Sequence, residues 1–255
     1  MTTLVKSPYL VFAISFFGMW LSVRLGSFFR KRQSELDEDV RQDLDLIVAA
    51  TLTLLGLIIG FSFSMALGRY DQRKNYEEAE ANAIGTEYVR ADLLPKADAA
   101  RVRALLVGYL DQRILFYRTR DESTLQVIDA HTAELQAELW SAVRAPSGEV
   151  PPPIHSLVLS GMNDVLNSQG YTQAAWWNRI PLAAWGLLAA VAVCANILVG
   201  YTARRAGGGV VRLLALPLVL SISFFLIADI DSPRRGIILV RPQNLISLAQ
   251  SLQGH

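Results

Sequence analysis

Little in this sequence can bind a metal or drive redox chemistry. It has one cysteine, Cys194, and three histidines, His131, His155 and His255, that share no ligand spacing. No disulfide framework can be built within the chain, and neither a metal site nor histidine catalysis is expected. Charge is scarce too, at 18% of residues against about a quarter in soluble domains. It balances to a net +1, so no basic field points to nucleic acid. Walker and Rossmann glycine loops, a nucleophile elbow, internal repeats and long alternating strand patterns are all missing. No cofactor is expected, and the chain reads as something other than an enzyme.

What the sequence has in quantity is apolar residues, 52% of the total, with a mean hydropathy of +0.29. They are gathered in blocks at both ends, with the charge between them. A helix needs about 20 apolar residues to cross a bilayer, and four runs come close: Pro8 to Phe29, Leu46 to Gly68, Pro181 to Tyr201 and Val210 to Ala228. The first follows Lys6 and could pass for a signal peptide. However, no small-residue cleavage site follows it, so it reads as a retained helix with Arg24 snorkelling. Trp176, Trp177 and Arg179 before the third run suit an interfacial belt, and Asn196 within it suits an interhelical hydrogen bond. Pro217 and the shortness of the fourth run call for burial against neighbours. The expectation is an all-α membrane protein with four transmembrane helices and a helical polar insert between the second and third.

The domain reading follows: an N-terminal transmembrane hairpin at 1–69, a polar insert at 70–175, a C-terminal hairpin at 176–230 and a tail at 231–255. An even number of spans puts both termini and the insert on one side; the distribution of arginine and lysine does not say which side is cytoplasmic. The insert reads as four helices. One continues from the second span to about Asp92, one opens at Pro95, one runs from Glu122 to Arg144, and a shorter one runs from Ile154 to about Asn167, with Gly161 and Gly170 weakening its ends. Gly207, Gly208 and Gly209 suit a tight turn between spans. The carboxylates at span ends, such as Asp45 and Asp229, suit interfaces or caps.

The second span repays the closest reading. In a straight helix Thr53, Leu57, Phe61 and Met65 share one face, with Ser64 beside them. Such a stripe can line a narrow pore that gates by dewetting, or can be ordinary core packing. Arg69, Arg73 and Lys74 follow it. Several copies would concentrate anions at a pore mouth, while Glu77, Glu78 and Glu80 would oppose them; a snorkelling collar explains the same charges.

At this point the chain resembles the bestrophins, and more closely a bacterial bestrophin-like domain family. The segment from Gly60 to Tyr70 is similar to the bestrophin second helix, where a Gly-Phe pair precedes Arg-aromatic. The segment from Glu80 to Tyr88, with Arg90 and Leu93-Leu94-Pro95, resembles the family hallmark, and Asp229 to Gly236 resembles the acidic turn after the fourth helix. The resemblance implies a homopentameric channel in a bacterial inner membrane, with insert and termini in the cytosol. Its axis would be lined by the second helix, with a neck at Thr53, Leu57 and Phe61. Thr53 departs from the bulky apolar residue usual there. Ile237 to Val240 replaces the acidic run of the eukaryotic calcium clasp, so calcium gating is not implied. The partners expected are further copies of the chain, the lipid bilayer and monovalent ions, leaning to anions such as chloride. The competing expectation is a non-conducting membrane scaffold or signalling protein whose insert binds a partner.

Overall fold

Apolar runs of membrane length and an insert with a helical period both fold as helix. The computed structural model describes residues 7–32, 37–203 and 210–253, and among these no strand occurs. In chain order the helices are α1 (Pro8–Lys31), α2 (Glu38–Arg90), a 3₁₀ turn (Ala91–Leu93), α3 (Lys96–Arg118), α4 (Glu122–Arg144), α5 (Pro152–Trp177), α6 (Leu182–Thr202), α7 (Val210–Asp231) and α8 (Gln243–Gln253). Four of the helical segments are long and apolar enough to cross a membrane. The glycine triplet at 207–209 lies outside the described residues. Two compact units form: Met1–Arg69 with Arg179–Ile238, and Tyr70–Asn178 with Leu239–His255.

In the first unit α1 packs on α6 and α7. Pro8 stands in the first turn of α1 and Pro181 caps α6, positions where a missing N–H costs nothing. The crossing of α1 and α6 depends on two glycines. A Cβ on Gly26 would sit 2.0 Å from the Ile197 carbonyl oxygen, and one on Gly200 would sit 2.1 Å from that of Val23. The Ser27 hydroxyl donates across the crossing to the Gly200 carbonyl at 3.1 Å. Close backbone approach of this kind drives association where lipid removes the hydrophobic incentive. Asn196 is fully buried, but its amide donates to Ala192 of its own helix at 2.8 Å instead of across helices. The local carbonyl one turn back is the nearer acceptor. Asp229 binds the backbone N–H groups of Ile237 and Ile238, each at 2.8 Å, and so closes the turn after α7. Asp231 accepts from the N–H of Ile180.

The second unit has a conventional core, built from Val102, Leu106, Tyr109, Leu139, Val158, Met162 and their neighbours. Pro95 caps α3, and the Asp121 carboxylate caps α4 by accepting from the Thr124 N–H at 2.8 Å. Two helices depart from expectation: α8 forms where no helix was expected, and α5 continues through Gly161 and Gly170 to Trp177. A helical glycine costs roughly 0.5–1 kcal/mol, which is small beside the burial of Met162, Val165 and Trp176 along α5. Trp176 is not an interfacial anchor. It is 4% exposed, with its ring 5.1 Å from Phe116 and 5.4 Å from Tyr117, while Trp177 stands 74% exposed.

Candidate functional site

Within the membrane span, α2 has one buried face. Leu55, Ser62 and Ala66 are buried and lie at spacings of seven and four, which is one side of a helix. Leu57 and Phe61 follow Leu55 by two and six residues, roughly 200° and 240° around the axis at about 100° per residue. They therefore project from the far side, where Leu57 is 54% and Phe61 66% exposed. Thr53 and Ser64 are exposed on the same side, with Met65 towards its edge. The Thr53 hydroxyl donates to the Ala49 carbonyl at 2.8 Å, so the helix itself satisfies it in apolar surroundings.

The three basic residues after the span part company. Arg69 is half-buried, with a guanidinium nitrogen 3.6 Å from the Met65 sulfur. Lys74 is exposed. Arg73 departs from its expected place among the mouth charges, because its side chain is 1% exposed. It donates to the carbonyls of Ala175 and Asn178, both at 3.2 Å. These lie at the C-terminal end of α5, where unpaired carbonyls and the helix dipole favour a cation.

Arg73 opens a row that the sequence reading treated as surface charge. Arg73, Glu77, Glu80, Ile84, Glu87 and Ala91 alternate spacings of four and three and are all buried. Each charge along this row meets a different partner. Glu77 accepts from the N–H of Asn244 at 2.9 Å and of Leu245 at 3.0 Å, and from the Asn244 amide at 2.6 Å. That carboxylate caps the N-terminus of α8 from a distant part of the chain. Glu80 pairs with Arg113, both side chains being fully buried. It also accepts from the hydroxyls of Thr172 at 3.2 Å and Tyr117 at 3.3 Å. Burial works to lower the Arg113 pKa, yet the adjacent Glu80 charge raises it, so the guanidinium stays charged. Burial first, and Glu80 second, push the Tyr109 and Tyr117 phenols upward.

Glu87 is the exception. It is fully buried, neither carboxyl oxygen has a hydrogen-bond partner among the described residues, and Arg90 lies 3.9 Å away. Burial, assisted by the Asp164 charge and opposed by Arg90, pushes this carboxyl up to about 8. The two described histidines are occupied locally. His131 lies 3.2 Å from Glu134, and His155 lies 2.8 Å from the Val143 carbonyl.

The site as a whole is thus a helix with an exposed apolar face in the span, continuing into a polar unit where several charges of that helix are turned inward. No curated protein matches the sequence. Solved structures do match the fold. A point mutant of a bacterial bestrophin homologue from Klebsiella pneumoniae aligns at a TM-score of 0.63 and 12% identity, over 97% of this chain and 98% of that one. A second mutant of the homologue aligns at 0.59 and 13%, over 94% and 98%. A structure described only as a membrane protein aligns at 0.57 and 12%, over 95% and 98%. At such identities the likeness is one of fold. The bestrophin-like domain family, in contrast, matches by sequence from residue 10 to residue 245, and the chain belongs to that family.

Proposed function

We propose that the chain is the subunit of a homopentameric ion channel, with five copies of α2 around a shared axis. The observation that carries this reading is the direction of Leu57 and Phe61. Both stand on the side of α2 away from its buried face and are more than half exposed in the single subunit. A bilayer could cover that face, since the Thr53 hydroxyl is met by the Ala49 carbonyl; membership of the bestrophin-like family supports an axis there instead. Leu57 and Phe61 then form a dewetting neck, Met65 flanks it, and Arg69 and Lys74 form the mouth. Their charge favours monovalent anions. Arg73, turned into its own unit, drops out of the mouth. The setting proposed is a bacterial inner membrane, with the insert and termini in the cytoplasm.

Purified protein reconstituted into planar bilayers tests this. Discrete openings are expected. Phe61→Ala should raise single-channel conductance severalfold, Leu57→Ala somewhat less, and Lys74→Glu should shift the reversal potential in a chloride gradient towards cation permeation. No current from an intact oligomer would remove the proposal. Cysteine labelling along residues 53–65, in a background where the exposed Cys194 has been replaced, gives an independent check. Reactivity with a helical period supports a water-filled axis, and uniform silence supports a scaffold.

A further inference from the structure

Three glutamates of the α2 row are fully or almost fully buried, and two of them are well matched. Glu77 takes three N–H donors, and Glu80 takes a guanidinium and two hydroxyls. Glu87 takes no hydrogen bond, although its side chain is 0% exposed. An ionised carboxylate in that position would lose its hydration with no hydrogen bond in return. Among the described residues, two charges act on it. Arg90, one turn along the same helix, lies at 3.9 Å, the far edge of ion-pair contact, and Asp164 on the facing α5 repels a second negative charge.

The seat of this carboxyl is made by the α5 backbone. A Cβ on Gly161 would lie 2.0 Å from Glu87 Oε2 and 2.3 Å from Arg90 Nη1, so the carboxyl and the guanidinium occupy the space that the glycine leaves open. Moving the Gly161 turn of α5 away from that contact would let water reach an ionised Glu87. We propose that Glu87 is a proton-operated latch in the polar unit: protonated, it holds the Gly161 turn of α5 against the end of α2, and on losing its proton it releases that turn.

The sign follows from the direction of the shift. Burial pushes Glu87 up to about 8, whereas a hydrated glutamate ionises near 4.5. Between those values the closed form holds a proton that the open form does not, so closure weakens as pH rises and levels off above about 8. Over that window the opening equilibrium should grow about tenfold per pH unit.

The full-length protein in lipid nanodiscs serves for the test, which requires no ion conduction and so fails or succeeds separately from the channel proposal. Amide exchange around Gly161, corrected for the intrinsic rate, should rise by about that factor per unit from pH 5 to pH 8 and then flatten. In Glu87→Gln, which keeps the shape without the charge, the corrected profile should be flat. Infrared spectra of the wild-type protein should show a protonated carboxyl band that disappears between pH 7 and pH 9 and is missing from the variant. A wild-type exchange profile with no slope below pH 8 would overturn the latch, as would a Glu87 carboxyl already ionised at pH 6. Those two measurements on the unmodified protein decide the matter even if the variant fails to fold.

Discussion

Where α1 crosses α6, backbone meets backbone across Gly26 and Gly200, and large apolar side chains point outward: Phe17 is 64% exposed and Leu21 63%. In the polar unit the arrangement is reversed. Apolar side chains fill the middle, and the charges of α2 are drawn in among them. The two units share a helix but answer to different solvents. In lipid an outward leucine costs nothing, so close contact must come from small residues and dispersion. In water the leucines are driven inside, and a charge enters only with a partner that replaces its hydration. One device recurs in both units. Asp229 in the first and Glu77 in the second each tie down two successive backbone N–H groups of a later segment.

The strongest way to break this comparison is to orphan a buried charge. Arg113→Ala leaves Glu80 fully buried opposite two hydroxyls alone, and should cost the polar unit about 3–5 kcal/mol. Unfolding of the detergent-solubilised protein, followed by amide exchange in α3 and α5, would read it. The paired replacement Glu80→Met with Arg113→Leu should recover most of the loss, because the desolvation penalty disappears with the charges. Loss that persists in the pair would mean that shape, not charge, dominates this core. The matching disruption in the membrane unit is Gly200→Leu, which drives a side chain into the Val23 carbonyl. Overpacking of this kind costs about 1–3 kcal/mol, and it should appear as a lowered melting temperature with α1 and α6 exchanging faster and the polar unit unchanged.

The sequence reveals the spans because twenty apolar residues in lipid have few alternatives to helix. It reveals the start of α3 at Pro95 and both ends of α4, because a proline and a helical apolar period are local signals. The row from Arg73 to Ala91 is harder to see. Its spacing of four and three is that of a core face, and Ile84 and Ala91 within it are a visible signal. Charge at the other positions suggests a solvated face, and only the partners Arg113, Thr172 and Asn244, distant in sequence, make burial affordable. The same distance hides α8, whose N-terminal N–H groups are capped by Glu77 rather than by a neighbour. The length of α5 is hidden because glycine propensity is a local quantity and Gly161 is chosen for a nonlocal contact. The stripe on α2 is legible as a face; the channel proposal, not the sequence, sets further copies of the chain opposite Leu57 and Phe61.

The finest test of the comparison uses the shared device. Glu77→Gln keeps one oxygen to accept from Asn244 and Leu245 but removes the negative charge from the α8 N-terminus and sets an amide N–H₂ against the Asn244 side-chain donor. The loss expected is about 1 kcal/mol, the usual scale for one charge at a helix terminus with a hydrogen bond lost. It should be confined to α8. Exchange at residues 244–249 should quicken about fivefold while α3 and α4 keep their protection, since Leu245 still enters the core. Asp229→Asn makes the corresponding change beside the membrane unit, where the freed N–H groups of Ile237 and Ile238 are only half-buried or exposed and water can replace the lost acceptor. Its effect should be the smaller of the two, and a larger one would show that the turn after α7 lies in a drier place than its neighbours suggest.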